Sequence, residues 1–181
     1  MTKVICENKK YQLGGPQEDT IGLPVLVSGL PEKIEVEGQA LFLKTSFHVS
    51  LVCIGKIIEK HNVSIPDFIN KIVDDFCEFT RTNNINFLRY RNEFRFASQN
   101  DRCSVIAMCD VSNLDKFFQL INQKYGLNIE YPPTHVTIYT LQPDKGIFIT
   151  DSKDIRELTK LIDNLGLVLS EPLKKFLDEN L

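Results

Sequence analysis

Apolar and polar positions alternate with a period of two in two separate stretches, residues 45–54 (TSFHVSLVCI) and 134–141 (THVTIYTL), and each predicts a β-strand. Between them the period lengthens. Phe68, Ile69, Ile72, Val73, Phe76 and Phe79 recur at helical spacing and predict a helix over about 65–82. Ser64 suits its N-cap, Pro66 its first turn and Asp67 its positive end. Leu114, Phe117, Phe118, Ile121 and Tyr125 predict a second helix, capped by Ser112 and stopped at Gly126. Residues 85–98 read as a hairpin turning near Asn92-Glu93, and 103–109 (CSVIAMC) as a buried strand.

The first 44 residues are punctuated by Gly14-Gly15-Pro16, Gly22-Leu23-Pro24, Gly29-Leu30-Pro31 and Gly38, with short apolar pieces at Val25 to Val27, Ile34 to Val36 and Leu41 to Leu43. That is the pattern of short strands joined by tight turns. Towards the other end, Gly146 to Ile149 predicts a short strand. Ile155, Leu158, Leu161, Ile162 and Leu165 predict a helix over about 152–165 that stops at Gly166, and Ser170-Glu171-Pro172 starts another. Helices and hairpin-like strand runs are mixed, which indicates an α+β fold with antiparallel sheets.

Composition narrows the function. The chain has 181 residues, 43% hydrophobic and 25% charged, enough for one domain with a sizeable core. Its formal charge of −3 argues against a broad grip on long nucleic acid, so an anionic partner should be small or held by a local patch. Cys6, Cys53, Cys77, Cys103 and Cys109 form an odd set without a CxxC spacing, and the expectation is five reduced, structural thiols. The opening residues lack a long apolar run, and no stretch approaches the roughly 18 apolar residues of a membrane span. A cytoplasmic monomer that does not engage membranes is expected.

The candidate chemistry lies in the two alternating strands. His48 heads His48-Val49-Ser50 and His135 heads His135-Val136-Thr137. Side chains two apart on a strand share a face, so each strand offers an imidazole and a hydroxyl side by side. By the same alternation Val52 shares the His48 face and Tyr139 the His135 face, while Cys53 points to the core. Across a cleft, one imidazole can take a proton from a nucleophile while the other gives one to a leaving oxygen. The hydroxyls Ser50 and Thr137 can donate to the non-bridging oxygens of a phosphodiester. There is no HxxxH, zinc-type Cys/His cluster or P-loop, and neither metal nor cofactor is expected.

The paired triplets resemble the HxS/HxT signature of the two-histidine (2H) phosphoesterase superfamily. The apolar residues that frame each triplet match, as does the Pro132-Pro133-Thr134 lead into the second. The resemblance spans roughly residues 40–150. It implies a single domain of two pseudo-symmetric lobes of antiparallel sheet backed by helices around a central cleft, with about 40 preceding residues as an extension. It also implies a metal-independent phosphodiesterase with His48, Ser50, His135 and Thr137 as catalytic residues. Substrates handled by such proteins include RNA-end 2′,3′-cyclic phosphates, 2′–5′ or 3′–5′ oligonucleotides and cyclic nucleotides. The rival reading is a module that holds a nucleotide or RNA in the same cleft without turnover.

Residues around the motifs supply candidates for binding. Tyr139 can stack on a base or touch phosphate. Arg81, Arg89, Arg91, Arg95 and Arg102 cluster with Tyr90, Phe94 and Phe96 interleaved, and a turn at Asn92-Glu93 would set Arg89 and Arg91 on one face with Phe94 and Phe96. Tyr90 and Arg95 fall on the other face; Arg89 and Arg91 are substrate-binding candidates, and a solvated hairpin is the alternative reading. Lys56 is a candidate for the cleft rim, and His61 reads as a surface residue.

Overall fold

A computed structural model describes residues 3–15, 17–143 and 145–162. Alternating apolar positions produce ten strands within this range: β1 (Lys3–Ile5), β2 (Tyr11–Gly14), β3 (Thr20–Pro24), β4 (Lys33–Val36), β5 (Gln39–Leu43), β6 (His48–Cys53), β7 (Phe87–Gln99), β8 (Arg102–Val111), β9 (His135–Thr140) and β10 (Thr159–Leu161). Four helices accompany them: α1 (Ile54–His61), α2 (Phe68–Thr82), α3 (Leu114–Tyr125) and α4 (Ser152–Leu158). The strands form one open sheet in the order β1-β2-β3-β6-β9-β8-β7-β10, with β4 on β5 and β5 on β9. Every pairing among the described residues is antiparallel. The fold is α+β. The stretch before residue 40, which the family resemblance left out, builds β1–β4 and the start of β5.

Periodicity explains the main core. Phe68, Ile72, Phe76 and Phe79 of α2 and Leu114, Phe117, Phe118 and Ile121 of α3 bury with Val49, Leu51, Val136 and Ile138 of the two motif strands. Phe76 meets Tyr11 and Phe117 edge to face, at centroid separations of 4.9 and 5.2 Å. The buried Tyr11 hydroxyl donates to the Ile85 carbonyl and accepts from the Ile85 amide, each at 3.0 Å, so burial leaves no orphan polar atom there. A smaller apolar cluster gathers Ala97, Ile106, Met108, Ile147 and Ile149 with Ile155 and Leu158 of α4. Ile106 and Met108 pair with Thr137 and His135, which puts this cluster on the motif face of β9.

Several expectations are corrected. The hairpin at Asn92-Glu93 is one long strand, β7, and the chain turns at Asn100, whose φ is +55°. Tyr90 pairs with Cys109 and Phe94 with Ala107, so the polar run 91–93 is accommodated as a bulge. α2 starts at Phe68, after Asp67 in the left-handed region, and Ser64 does not cap it. Asn113, also left-handed, precedes α3, while Ser112 bonds the 84–86 loop. α1 was not foreseen; it is short and opens on Ile54-Gly55 directly from β6. α4 ends at Leu158 because Thr159–Leu161 pairs with Ala97–Arg95 as a strand. Gly146 to Ile149 alternates like a strand but joins no sheet, and no strand forms at Val25 to Val27. The rest of the predicted 152–165 helix, with its Gly166 stop, and the helix from Ser170 lie outside the described residues.

Cys6 and Cys77 form a disulfide, which corrects the expectation of five free thiols. The end of β1 meets the middle of α2, a proximity that sequence spacing cannot reveal. Cys53, Cys103 and Cys109 are free. Among the described residues no helix is long and apolar enough to cross a membrane.

Candidate active site

Two adjacent central strands carry the motifs. Val49 of β6 pairs with Val136 of β9. Carrying the antiparallel register one residue each way sets His48 across from Thr137 and Ser50 across from His135. Each imidazole thus has the other motif's hydroxyl as its cross-strand neighbour. All four side chains line one cleft of about 490 Å³, within the range of small-ligand sites.

Both strands break their alternation just beyond the triplet. β3 pairs Gly22 with Ser50 but Ile21 with Val52, so Leu51 is the extra residue of a bulge. β8 pairs Ile106 with Thr137 but Val105 with Tyr139, so Ile138 plays the same part in β9. Two corrections to simple alternation result. Cys53 is turned onto the cleft wall and Val52 into the core. Tyr139, expected beside His135, is only 1% exposed, and its hydroxyl donates to the Pro31 carbonyl at 2.9 Å. It supports the fold and does not line the cleft.

The histidines sit in different surroundings. His135 is 7% exposed, and its Nδ1 lies 2.8 Å from the Pro133 carbonyl. Donation by Nδ1–H fixes the tautomer and leaves Nε2 as the ring's acceptor. Burial pushes the His135 pKa down, and the Pro133 carbonyl opposes that shift. His48 lies against Gly22, where a Cβ would come within 3.3 Å of the ring carbon Cδ2. Desolvation by the cleft wall, then the Lys44 ammonium, then His135 hold its pKa down at about 4. Water still reaches the outer edge of this exposed residue and tempers the displacement.

The remaining wall is cationic. Lys44, Arg102 and Lys145 line the cleft, and no carboxylate does so among the described lining residues. In a chain of net charge −3 this is a local concentration of positive charge suited to a phosphate. Arg102 also reaches the Gly146 carbonyl at 3.4 Å. Gln12, Gly14 and Gly15 from β2 and the following turn, with Thr20 and Gly22 of β3, close one side. Sequence reasoning missed that side, although the glycine punctuation of residues 14–22 marked a place of close backbone approach.

Arg89 and Arg91 are corrected. Both are exposed and both pair with Asp110, at 3.0 and 2.7 Å, away from the cleft. The bulge at 91–93 sends Tyr90, Phe94 and Phe96 to the core and leaves these two arginines outside. Lys56 belongs to a smaller adjoining cavity that shares Ser50, Cys53 and Ile149 with the main cleft. His61 is exposed at the end of α1 and lines that second cavity. Among the described residues no three His, Cys, Asp or Glu side chains gather as a metal-ligand set. Compared with protein-family models, with curated proteins and with solved structures, the chain matches none.

The depressed imidazoles set an expected pH profile. Were the two imidazoles an acid–base pair, the base would have to be neutral, so kcat/KM would fall as pH drops through its pKa. The acid would have to be protonated, so kcat/KM would fall as pH rises through its pKa. Both values are displaced below the usual 6.5, and the maximum of the bell should lie on the acid side of that value. A maximum of kcat/KM above pH 7.5 would contradict this arrangement.

Proposed function

We propose that the chain is a metal-independent phosphodiesterase that cleaves a small nucleotide diester by two-histidine acid–base catalysis. The carrying observation is the crossed pairing of two imidazoles with two hydroxyls on β6 and β9, at the floor of a cleft with a cationic wall. The substrate class is an RNA-end 2′,3′-cyclic phosphate, a 2′–5′ or 3′–5′ oligonucleotide, or a cyclic (oligo)nucleotide. The family resemblance and the matching bulges after both triplets support a two-lobed, pseudo-symmetric 2H arrangement.

In this reading His135 is the base. Its Nδ1–H is held by the Pro133 carbonyl, so Nε2 can take the proton of the attacking hydroxyl, and the same carbonyl stabilises the imidazolium that forms. The nucleophile's oxygen bonds to phosphorus as the bond to the leaving oxygen breaks. His48, in contact with water and able to reload from it, gives that oxygen its proton. Ser50 and Thr137 donate hydrogen bonds to the non-bridging oxygens, and Lys44, Arg102 and Lys145 balance the developing charge. The bound phosphate's own charge favours the protonated form of His48, against the desolvation that lowers it in the free protein.

The test is a panel of cyclic-phosphate and cyclic-oligonucleotide substrates incubated in EDTA, with products identified by mass. Turnover should be unaffected by the chelator. Activity lost in EDTA and restored by Zn²⁺, Mn²⁺ or Mg²⁺ would overturn the mechanism.

A further inference from the structure

Phe148 is the largest apolar group on the wall of the cleft, and nothing in the acid–base chemistry uses it. The segment 145–150 passes beside the second motif without joining the sheet: a Cβ on Gly146 would lie 3.8 Å from the Thr137 hydroxyl. Ile147 and Ile149, 6% and 4% exposed, anchor it in the apolar cluster with Ile106 and Met108. The residue between them is turned the other way. Phe148 is 38% exposed and lines the cleft. Isolated apolar side chains on a surface are ordinary. This one is held between two buried anchors in the same cavity as three cationic side chains and the two imidazoles.

Two further features point to a planar partner. The Lys56 ammonium, which lines the adjoining cavity, lies 5.8 Å from the Phe148 ring centroid, a cation–π contact that steadies the ring while the residue stays 38% exposed. A cleft of about 490 Å³ is also larger than a phosphodiester group alone requires. We propose that Phe148 is a base-stacking wall, so that the ligand of this cleft carries a nucleobase, stacked on Phe148, as well as the phosphate held by the cationic residues. The inference rests on the phosphodiester reading of the same cleft and adds a specificity residue to it.

Adenosine 5′-monophosphate and ribose 5-phosphate, which share a phosphate and differ by the base, separate the possibilities by calorimetry. The wild type should bind the nucleotide more tightly by roughly 5- to 100-fold, the worth of one stacked base. Phe148→Ala should remove most of that gap while leaving ribose 5-phosphate unchanged. Phe148→Leu, which keeps apolar volume, should not restore it, and Phe148→Trp should restore or widen it. No gap in the wild type, a gap insensitive to Phe148→Ala, or full recovery with leucine would each overturn the proposal. Turnover is measured separately with a nucleoside 2′,3′-cyclic phosphate and a base-free glycerol cyclic phosphate. A Phe148-dependent gap without hydrolysis of either diester would sink the catalytic reading and leave the stacking wall standing. Hydrolysis without the gap would do the reverse.

Discussion

His48→Ala should lower kcat by roughly 10²–10⁴, the usual worth of a positioned proton donor, while leaving the melting temperature close to that of the wild type. The imidazole is exposed at the cleft and supports no core. The same loss of kcat is expected for His135→Ala, with a second effect that His48→Ala lacks. His135 is buried and hydrogen-bonded, so truncation leaves the Pro133 carbonyl unpaired and costs about 1–3 kcal/mol of stability. His135→Asn separates the two effects, because its amide can still donate to that carbonyl but cannot take a proton at neutral pH. Steady-state kinetics and thermal melts on the three variants check this directly. Full turnover in His48→Ala or His135→Asn would remove that histidine from the mechanism.

A residue without a side chain should matter nearly as much. Gly22 lies across from Ser50 on β3, and the His48 ring rests on its backbone, with Cδ2, Cγ and Cβ at 3.3, 3.5 and 3.6 Å from where a Cβ would stand. Its φ is not positive, so valine can take up this strand conformation, and a strand generally gains from losing a glycine. Gly22→Val should still fold, with crowding of this buried position costing about 1–3 kcal/mol. Its methyl groups displace the His48 imidazole, and a misplacement of about 1 Å at a catalytic group costs on the order of 10²-fold in rate. Gly22→Ala, which asks the ring to give by only a few tenths of an ångström, should fall between. Undiminished kcat in Gly22→Val would mean that the position of His48 is not critical.

The motif strands were legible because their signal is local: alternation shows a strand, and two imidazole–hydroxyl triplets show candidate chemistry. The apolar spacings of α2 and α3 were legible for the same reason. Alternation failed one step past each triplet. The bulges at Leu51 and Ile138 are set by pairing with β3 and β8, partners that no local pattern names, and they reverse the faces of Cys53 and Tyr139. The arginines went astray similarly. A polar run at 91–93 has the composition of a turn, but the long partner strand β8 continues past it and converts it to a bulge. Arg102 and the β2–β3 wall reach the cleft only through sheet order, which places segments distant in sequence beside one another.

β9 is hydrogen-bonded on both sides, to β8 and to β6 and β5, in the middle of the sheet, whereas Phe148 rides on a segment that pairs with none of it. The two halves of the site therefore answer to different constraints. Substitutions within β6 or β9 are paid for across the whole sheet, so the two histidine–hydroxyl triplets are hard to vary. Those at 145–150 disturb a small apolar anchor, the cleft wall and the local hydrogen bonds of Gly146 and Thr150. Under the proposed function, such a division would let a lineage exchange one ligand for another by rewriting six residues beside unaltered triplets, and would give an engineer the same starting point for redirecting the protein.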